Sequence, residues 1–142
     1  MIDVSIDIGD LKKKLNRLPK RIRKNVLDGA VRAGARPIVE EARRRVPKRT
    51  RNLEKSIGVN KRRSKDPYVI IFSVSPRVGG KYNGYYGLFV ERGHPIVKGG
   101  KVVGYAPAKP FMRPAFEAVG DSALKAAKAY LAKRVEKEIA KL

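Results

Sequence analysis

KRIRKNVLDGAVRAGARPIVEEARRRV, residues 20–46, decides the fold class. Ile22, Val26, Ala30, Val31, Gly34, Ala35, Ile38, Val39, Ala42 and Val46 recur at three- and four-residue steps, the spacing of one apolar helix face. The stretch therefore predicts a helix from about Lys20 to Val46, roughly seven turns long. Ala30, Ala33, Gly34 and Ala35 form a run of small side chains that lets another backbone approach closely. Pro37 lies inside the pattern and removes one backbone hydrogen bond, so the helix is expected to kink there; two helices meeting near Arg36 are the alternative. Arg43, Arg44 and Arg45 load the last turn with positive charge, which complements the helix dipole, and Pro47 closes it.

Outward from this helix the period changes. Ile2, Val4, Ile6 and Ile8 alternate with Asp3, Ser5, Asp7 and Gly9, which predicts a short half-buried strand. Asp10 is expected to cap a short helix through Arg17, with Leu11, Leu15 and Leu18 on one face, ended by Pro19. Leu53 to Arg62 and Tyr68 to Ser75 read as strands, the second rich in β-branched and aromatic residues. Tyr85 to Arg92 reads as a third. Gly99-Gly100 between Ile96-Val97-Lys98 and Lys101-Val102-Val103 predicts a hairpin with a primed turn. From Pro110 the helical period returns in Phe116, Val119, Ala123, Ala127, Leu131, Val135, Ile139 and Leu142. Gly120-Asp121-Ser122 is expected to break that helix and start it afresh. The expected architecture is α+β: a small antiparallel β-sheet packed on a long, kinked α-helix, with a C-terminal helix over about 110–142, in one domain of residues 1–142.

Composition narrows the chemistry. The 142 residues contain no Cys and one His, which excludes disulfides, thiolate catalysis and multi-histidine metal sites. No stretch approaches the roughly 18 apolar residues of a membrane span, and the opening Met1-Ile2-Asp3-Val4 does not read as a secretory leader. No catalytic residue, cofactor or metal site is expected. His94, between Gly93 and Pro95, reads as a loop residue; Glu40 and Glu41 point to different helix faces and pair with nearby Arg; no carboxylate cluster suits a nuclease.

The net charge is +21, and residues 12–65 carry 21 Lys and Arg against Asp28, Glu40, Glu41 and Glu54. Such a field attracts polyanions, of which nucleic acid is the commonest; the alternative is a solvated surface that keeps the chain soluble. The candidate contact residues are Arg43, Arg44, Arg45, Lys48, Arg49 and Arg51 around the helix end, with Lys61, Arg62, Arg63 and Lys65 on the following turn. They face either DNA or an acidic protein partner. With Tyr68 as the nearest aromatic, base stacking is not expected. Tyr82, Tyr85, Tyr86, Phe89 and Phe111 are candidates for a subunit interface, with core packing as the alternative. Glu91, ending an apolar aromatic stretch, needs a charged or backbone donor. The two readings are a salt bridge fixing the turn at Gly93 and a bridge to a neighbouring subunit.

Three peptides stand in a fixed order: VPKRTRNLEKSI (46–57), YYGLFVERGH (85–94) and PAKPFMRPA (107–115). Together they resemble the gene-ten-like tail-component family of Hong Kong-type siphophages, over about residues 2–120. Pro47, Thr50, Leu53, Ser56 and Ile57 match the first motif; Tyr86, Phe89, Val90, Glu91 and Gly93 the second; Pro110, Phe111, Arg113, Pro114 and Ala115 the third. Arg51 stands where the family usually has Gly, so different backbone angles are expected after Thr50, and His94 replaces the usual Thr. The resemblance implies a structural virion protein of the neck, a tail-completion or head–tail joining subunit. It implies a ring of copies, hexameric in the virion, between head connector and tail tube or terminator proteins. Packaged double-stranded DNA would pass through the lumen, with assembly in the host cytoplasm and no membrane. The alternative is a stand-alone basic protein that binds nucleic acid without sequence preference.

Overall fold

The computed structural model describes residues 10–66 and 69–142. The expected strand at Ile2–Ile8 lies outside them. The elements follow in the order α1 (Asp10–Asn16), α2 (Lys20–Arg45), α3 (Asn52–Ser56), β1 (Ile57–Arg62), β2 (Ile71–Pro76), α4 (Gly87–Arg92), β3 (His94–Lys98), β4 (Lys101–Ala106) and α5 (Met112–Ile139). The class is α+β, as expected. Among the described residues the strands form two separate two-stranded sheets, β1–β2 and β3–β4, instead of one.

The chain folds into two compact units. One holds the described residues of Met1–Pro37, Lys61–Ser73 and Asp121–Leu142; the other holds Ile38–Asn60 and Val74–Gly120. We call them the helical unit and the motif unit. Each has its own core. In the helical unit Leu15, Leu18, Val26, Ala30, Leu131 and Val135 are buried together, so α1 and the facing stretches of α2 and α5 share one apolar seam. In the motif unit Val39, Ala42, Val46, Leu53, Ile57, Phe111 and Ala115 are buried together, with Val59, Val74, Tyr86, Val90 and Met112 packed against them.

The small-residue run does what its spacing predicts. A Cβ on Gly34 would stand 2.9 Å from Ala127 Cβ and 3.0 Å from the Ala123 carbonyl oxygen, so α5 passes α2 at backbone contact. α2 runs unbroken through Pro37, which settles the choice between one helix and two. Arg32 lays its guanidinium 4.9 Å from the centre of the Phe72 ring, a cation–π contact of α2 with β2.

Four local expectations change. Leu53–Ser56 is helical, not extended: Leu53, Ser56 and Ile57 are buried at i, i+3 and i+4, and Ser56 Oγ donates to the Leu53 carbonyl at 2.6 Å. Tyr85–Arg92 is not a strand, because Gly87–Arg92 forms α4. The residues that reach the core there are Tyr86 and Val90, four apart, while Leu88 and Phe89 are exposed; aromatic content suggested a strand, but burial follows the helical step. α5 runs through Gly120-Asp121-Ser122 without a break, since one helical Gly costs only about 1 kcal/mol against the packing of a 28-residue helix. Arg51 has φ 61° and ψ 4°, the left-handed geometry that glycine favours. The turn after Thr50 therefore takes the glycine-type conformation with an arginine in it, contrary to the expectation of different angles.

Candidate functional site

The three peptides singled out in the sequence meet in the motif unit, and Glu91 is where the second joins the third. Its carboxylate accepts the backbone N–H groups of Phe111 at 2.7 Å, Met112 at 3.0 Å and Arg113 at 3.2 Å. These are orphan donors at the start of α5, which has no carboxylate of its own in the first turn. A carboxylate there also faces the positive end of the helix dipole. Glu91 thus finds backbone donors within its own unit and forms no salt bridge among the described residues. Alongside, the Lys109 N–H donates to the Val90 carbonyl at 2.8 Å. Gly93 closes the same joint with φ 76°; a Cβ there would sit 2.7 Å from the Ala106 carbonyl oxygen and 2.9 Å from the Ala108 nitrogen.

The first peptide supports the second from below. The Arg77 N–H donates to the Ser56 carbonyl at 2.9 Å, and the Gly84 N–H donates to the Arg77 carbonyl at 2.7 Å. Asn52 Nδ2 donates to the Asn83 carbonyl at 2.8 Å and to the Tyr86 hydroxyl at 3.2 Å. The spacing of these peptides therefore encodes a joint.

The joint holds out a hairpin. β3 and β4 pair antiparallel with His94 opposite Ala106, Pro95 opposite Tyr105 and Val97 opposite Val102, with a bulge between Ile96 and Val97. Gly99 and Gly100 both have positive φ, as the primed turn requires. Almost every hairpin residue is exposed, including Val97 at 57%, Val102 at 67%, Val103 at 58% and Tyr105 at 65%. Ile96 and the neighbouring Val97, on the strand without the inserted residue, point to opposite faces and are both exposed, so apolar side chains stand uncovered on both.

The candidate aromatics divide. Tyr85 and Phe89 are more than half exposed; Phe89 stacks edge-to-face with His94 at 5.7 Å, and Tyr85 with Tyr86 at 5.4 Å. Tyr82 is half-buried and flanked by the Lys55 and Lys81 ammonium groups at 5.2 and 5.4 Å. Tyr86 packs on the core, and Phe111 is fully buried in it.

The basic candidates divide as well. Arg43 donates to the Ile57 carbonyl from Nε at 3.2 Å and Nη2 at 2.7 Å, which pins the end of α2 to the start of β1. Arg44 and Arg45 both grip Glu41, Arg45 at 2.7 Å, and hold its carboxyl down at about 2. The same hydrogen bond raises Arg44 further above its ordinary value. Lys48 donates to the Arg44 carbonyl at 2.6 Å, and Arg51 lies 3.5 Å from Glu54. These residues, with Arg49, belong to the motif unit; Lys61, Arg62, Arg63 and Lys65 belong to the helical unit. Lys61 pairs with Asp28 at 2.8 Å, and Arg62 donates to Ser73 Oγ at 3.1 Å.

In the helical unit Lys61, Arg62 and Arg63 face a cavity of about 330 Å³ together with Lys20, Arg23 and Lys24. Sequence reading passed over these last three. Their i, i+3, i+4 spacing does place them on one helix face, but nothing local says which loop comes to meet that face. Among the described residues no group of three or more His, Cys, Asp or Glu comes together, and no helix is long and apolar enough to cross a membrane.

A family model described as "Bacteriophage HK97-gp10, putative tail-component" matches residues 9–93. No curated protein and no solved structure matches. The span takes in the first peptide and the second as far as Gly93, Glu91 included; the third peptide, which Glu91 holds, lies beyond it.

Proposed function

Because the chain belongs to the HK97-gp10-like family of phage tail components, we propose that this structural tail protein works in the neck, as a tail-completion or head–tail joining subunit. Copies form a ring between the head connector and the tail tube. The role is geometric, not catalytic. The hairpin is the observation that carries this reading. Two strands alone are marginal in water, and this pair shows apolar side chains on both faces while being clamped at its base by Glu91 and Gly93. A rigidly rooted, uncovered arm of this kind is an assembly element. Tyr85 and Phe89 extend the same apolar character to the surface of the motif unit.

The deciding experiment is electron microscopy of lysates from a phage or induced prophage with an early stop codon in this gene. Separate DNA-filled heads and unattached tails are expected. Joined, intact particles would sink the assignment. A stand-alone nucleic-acid-binding protein is the second reading, favoured by the cationic cavity of the helical unit; joined particles together with DNA binding by the purified chain would select it.

A further inference from the structure

We propose that the cavity of the helical unit is a binding site for the phosphodiester backbone of DNA, formed by Lys20 and Lys24 of α2 with Lys61, Arg62 and Arg63 at the end of β1. The inference stands on the geometry of that unit and does not need the neck reading. Two separate chain segments bring their cations to one concavity of about 330 Å³. Among the described lining residues Asp66 is the one carboxylate.

The cations differ in how they are held. Lys61 is fixed by Asp28 and Arg62 by Ser73, so their positions are set before a ligand arrives. Lys20, Lys24 and Arg63 are exposed, and none has a hydrogen-bond or ion-pair partner among the described residues. The motif-unit cluster is different: Arg43, Arg44, Arg45 and Lys48 are spent on Ile57, Glu41 and a carbonyl of their own helix end. Arg49 is exposed in that cluster, as other cations are elsewhere on the surface, but the cavity brings three unpaired cations, Lys20, Lys24 and Arg63, to one concavity.

The lining also selects the class of polyanion. An acidic protein surface would need an anchor pocket, and protein interfaces favour aromatics and Arg while excluding Lys. Among the described lining residues half of the basic ones are Lys, none is aromatic, and the apolar part is Leu27, Val69 and Ile70. Lys serves phosphate well as a point charge. With no ring to stack a base and no planar amide among the described lining residues, the site reads charge and not sequence.

The test is fluorescence anisotropy of labelled duplexes of unrelated sequence with the purified full chain, across about 50 to 200 mM salt. A cavity variant carries Lys20→Gln, Lys24→Gln and Arg63→Gln. A control removes the same charge from exposed positions of α5, by Lys125→Gln, Lys128→Gln and Lys133→Gln. Sequence-independent binding is expected, with at least a tenfold loss for the cavity variant. Its log–log salt slope should fall by about 2 to 3, near 0.9 per lost contact. The control should move affinity far less. Equal losses in both variants would overturn the site, as would no binding by the parent chain. An oligo-glutamate peptide is titrated in parallel. If the cavity variant keeps DNA affinity but loses the peptide, the site is for acidic protein and the proposal fails. Matching thermal melts of the three proteins exclude misfolding.

Discussion

Glu91 carries the most structure for one side chain. Three N–H groups share its two oxygens, and hydrogen bonds to a charged group contribute about 1.5–3 kcal/mol each before coupling between them is counted. Glu91→Ala should destabilise the chain by about 2–4 kcal/mol in urea unfolding, with Glu91→Gln between the two because one oxygen still accepts. Arg51 tests the opposite case, a residue held where L side chains are strained. Occupying the left-handed region costs a β-branched residue more than it costs Arg, so Arg51→Val should lose more than about 1 kcal/mol. Arg51→Gly should not destabilise, since relief of strain offsets the chain entropy of glycine. Glu41 gives the pH dependence. Its folded value is lowered to about 2 from 4.5, so its contribution is fully present above the unfolded carboxylate range and is lost as pH falls through about 2. The stability gap between the parent and Glu41→Gln should therefore close between pH 4.5 and about 2, followed by thermal melts. The arginines of Glu41 are visible in the sequence at i+3 and i+4, whereas Glu91 lies about twenty positions from the donors it caps, and no local rule points across that distance.

Elements were legible where a long period repeats and illegible where a short peptide serves a joint. α2 and α5 run for 26 and 28 residues, and their apolar spacing identifies them without help. Peptides such as 53–56 and 86–92 are too short for period to outweigh β-rich composition, so they read as strands while tertiary contacts make them helical turns. The hairpin was readable because Gly99-Gly100 fixes its turn chemically. Contact between α2 and α5 gives a sharp prediction. Gly34→Leu must displace Ala127 or the Ala123 carbonyl, and overpacking of about 1–3 kcal/mol outweighs the roughly 1 kcal/mol gained in helix propensity. A lower melting temperature is expected, and an unchanged one would refute backbone contact. The hairpin predicts the reverse. Val102→Asn with Tyr105→Ser should leave monomer stability within about 0.5 kcal/mol, because both side chains are exposed. The same variant should lower the yield of infectious particles if the hairpin is an assembly arm.

Across the whole molecule the charge and the apolar hairpin pull association in opposite directions. Copies carrying +21 repel one another at low ionic strength, and salt screens that repulsion within about 10 Å at 0.1 M. Self-association measured by sedimentation should therefore strengthen as salt rises, whereas DNA binding weakens; association that weakens with salt would assign the contact between copies to ion pairs instead. The sequence could show the total charge but not its partition between arginines spent inside the motif unit and lysines left open in the helical unit. That partition depends on which carbonyls and carboxylates the fold brings to each guanidinium. The clamp at Glu91 and Gly93 has a last consequence. It closes the chain on itself at both ends of residues 94–106, so everything beyond the clamp is an interchangeable cassette. Length and chemistry there can drift without disturbing the core, which would let one scaffold follow a changing neighbour. The Gly99–Gly100 tip is, by the same logic, the place to insert a label when the protein is to be followed into the particle.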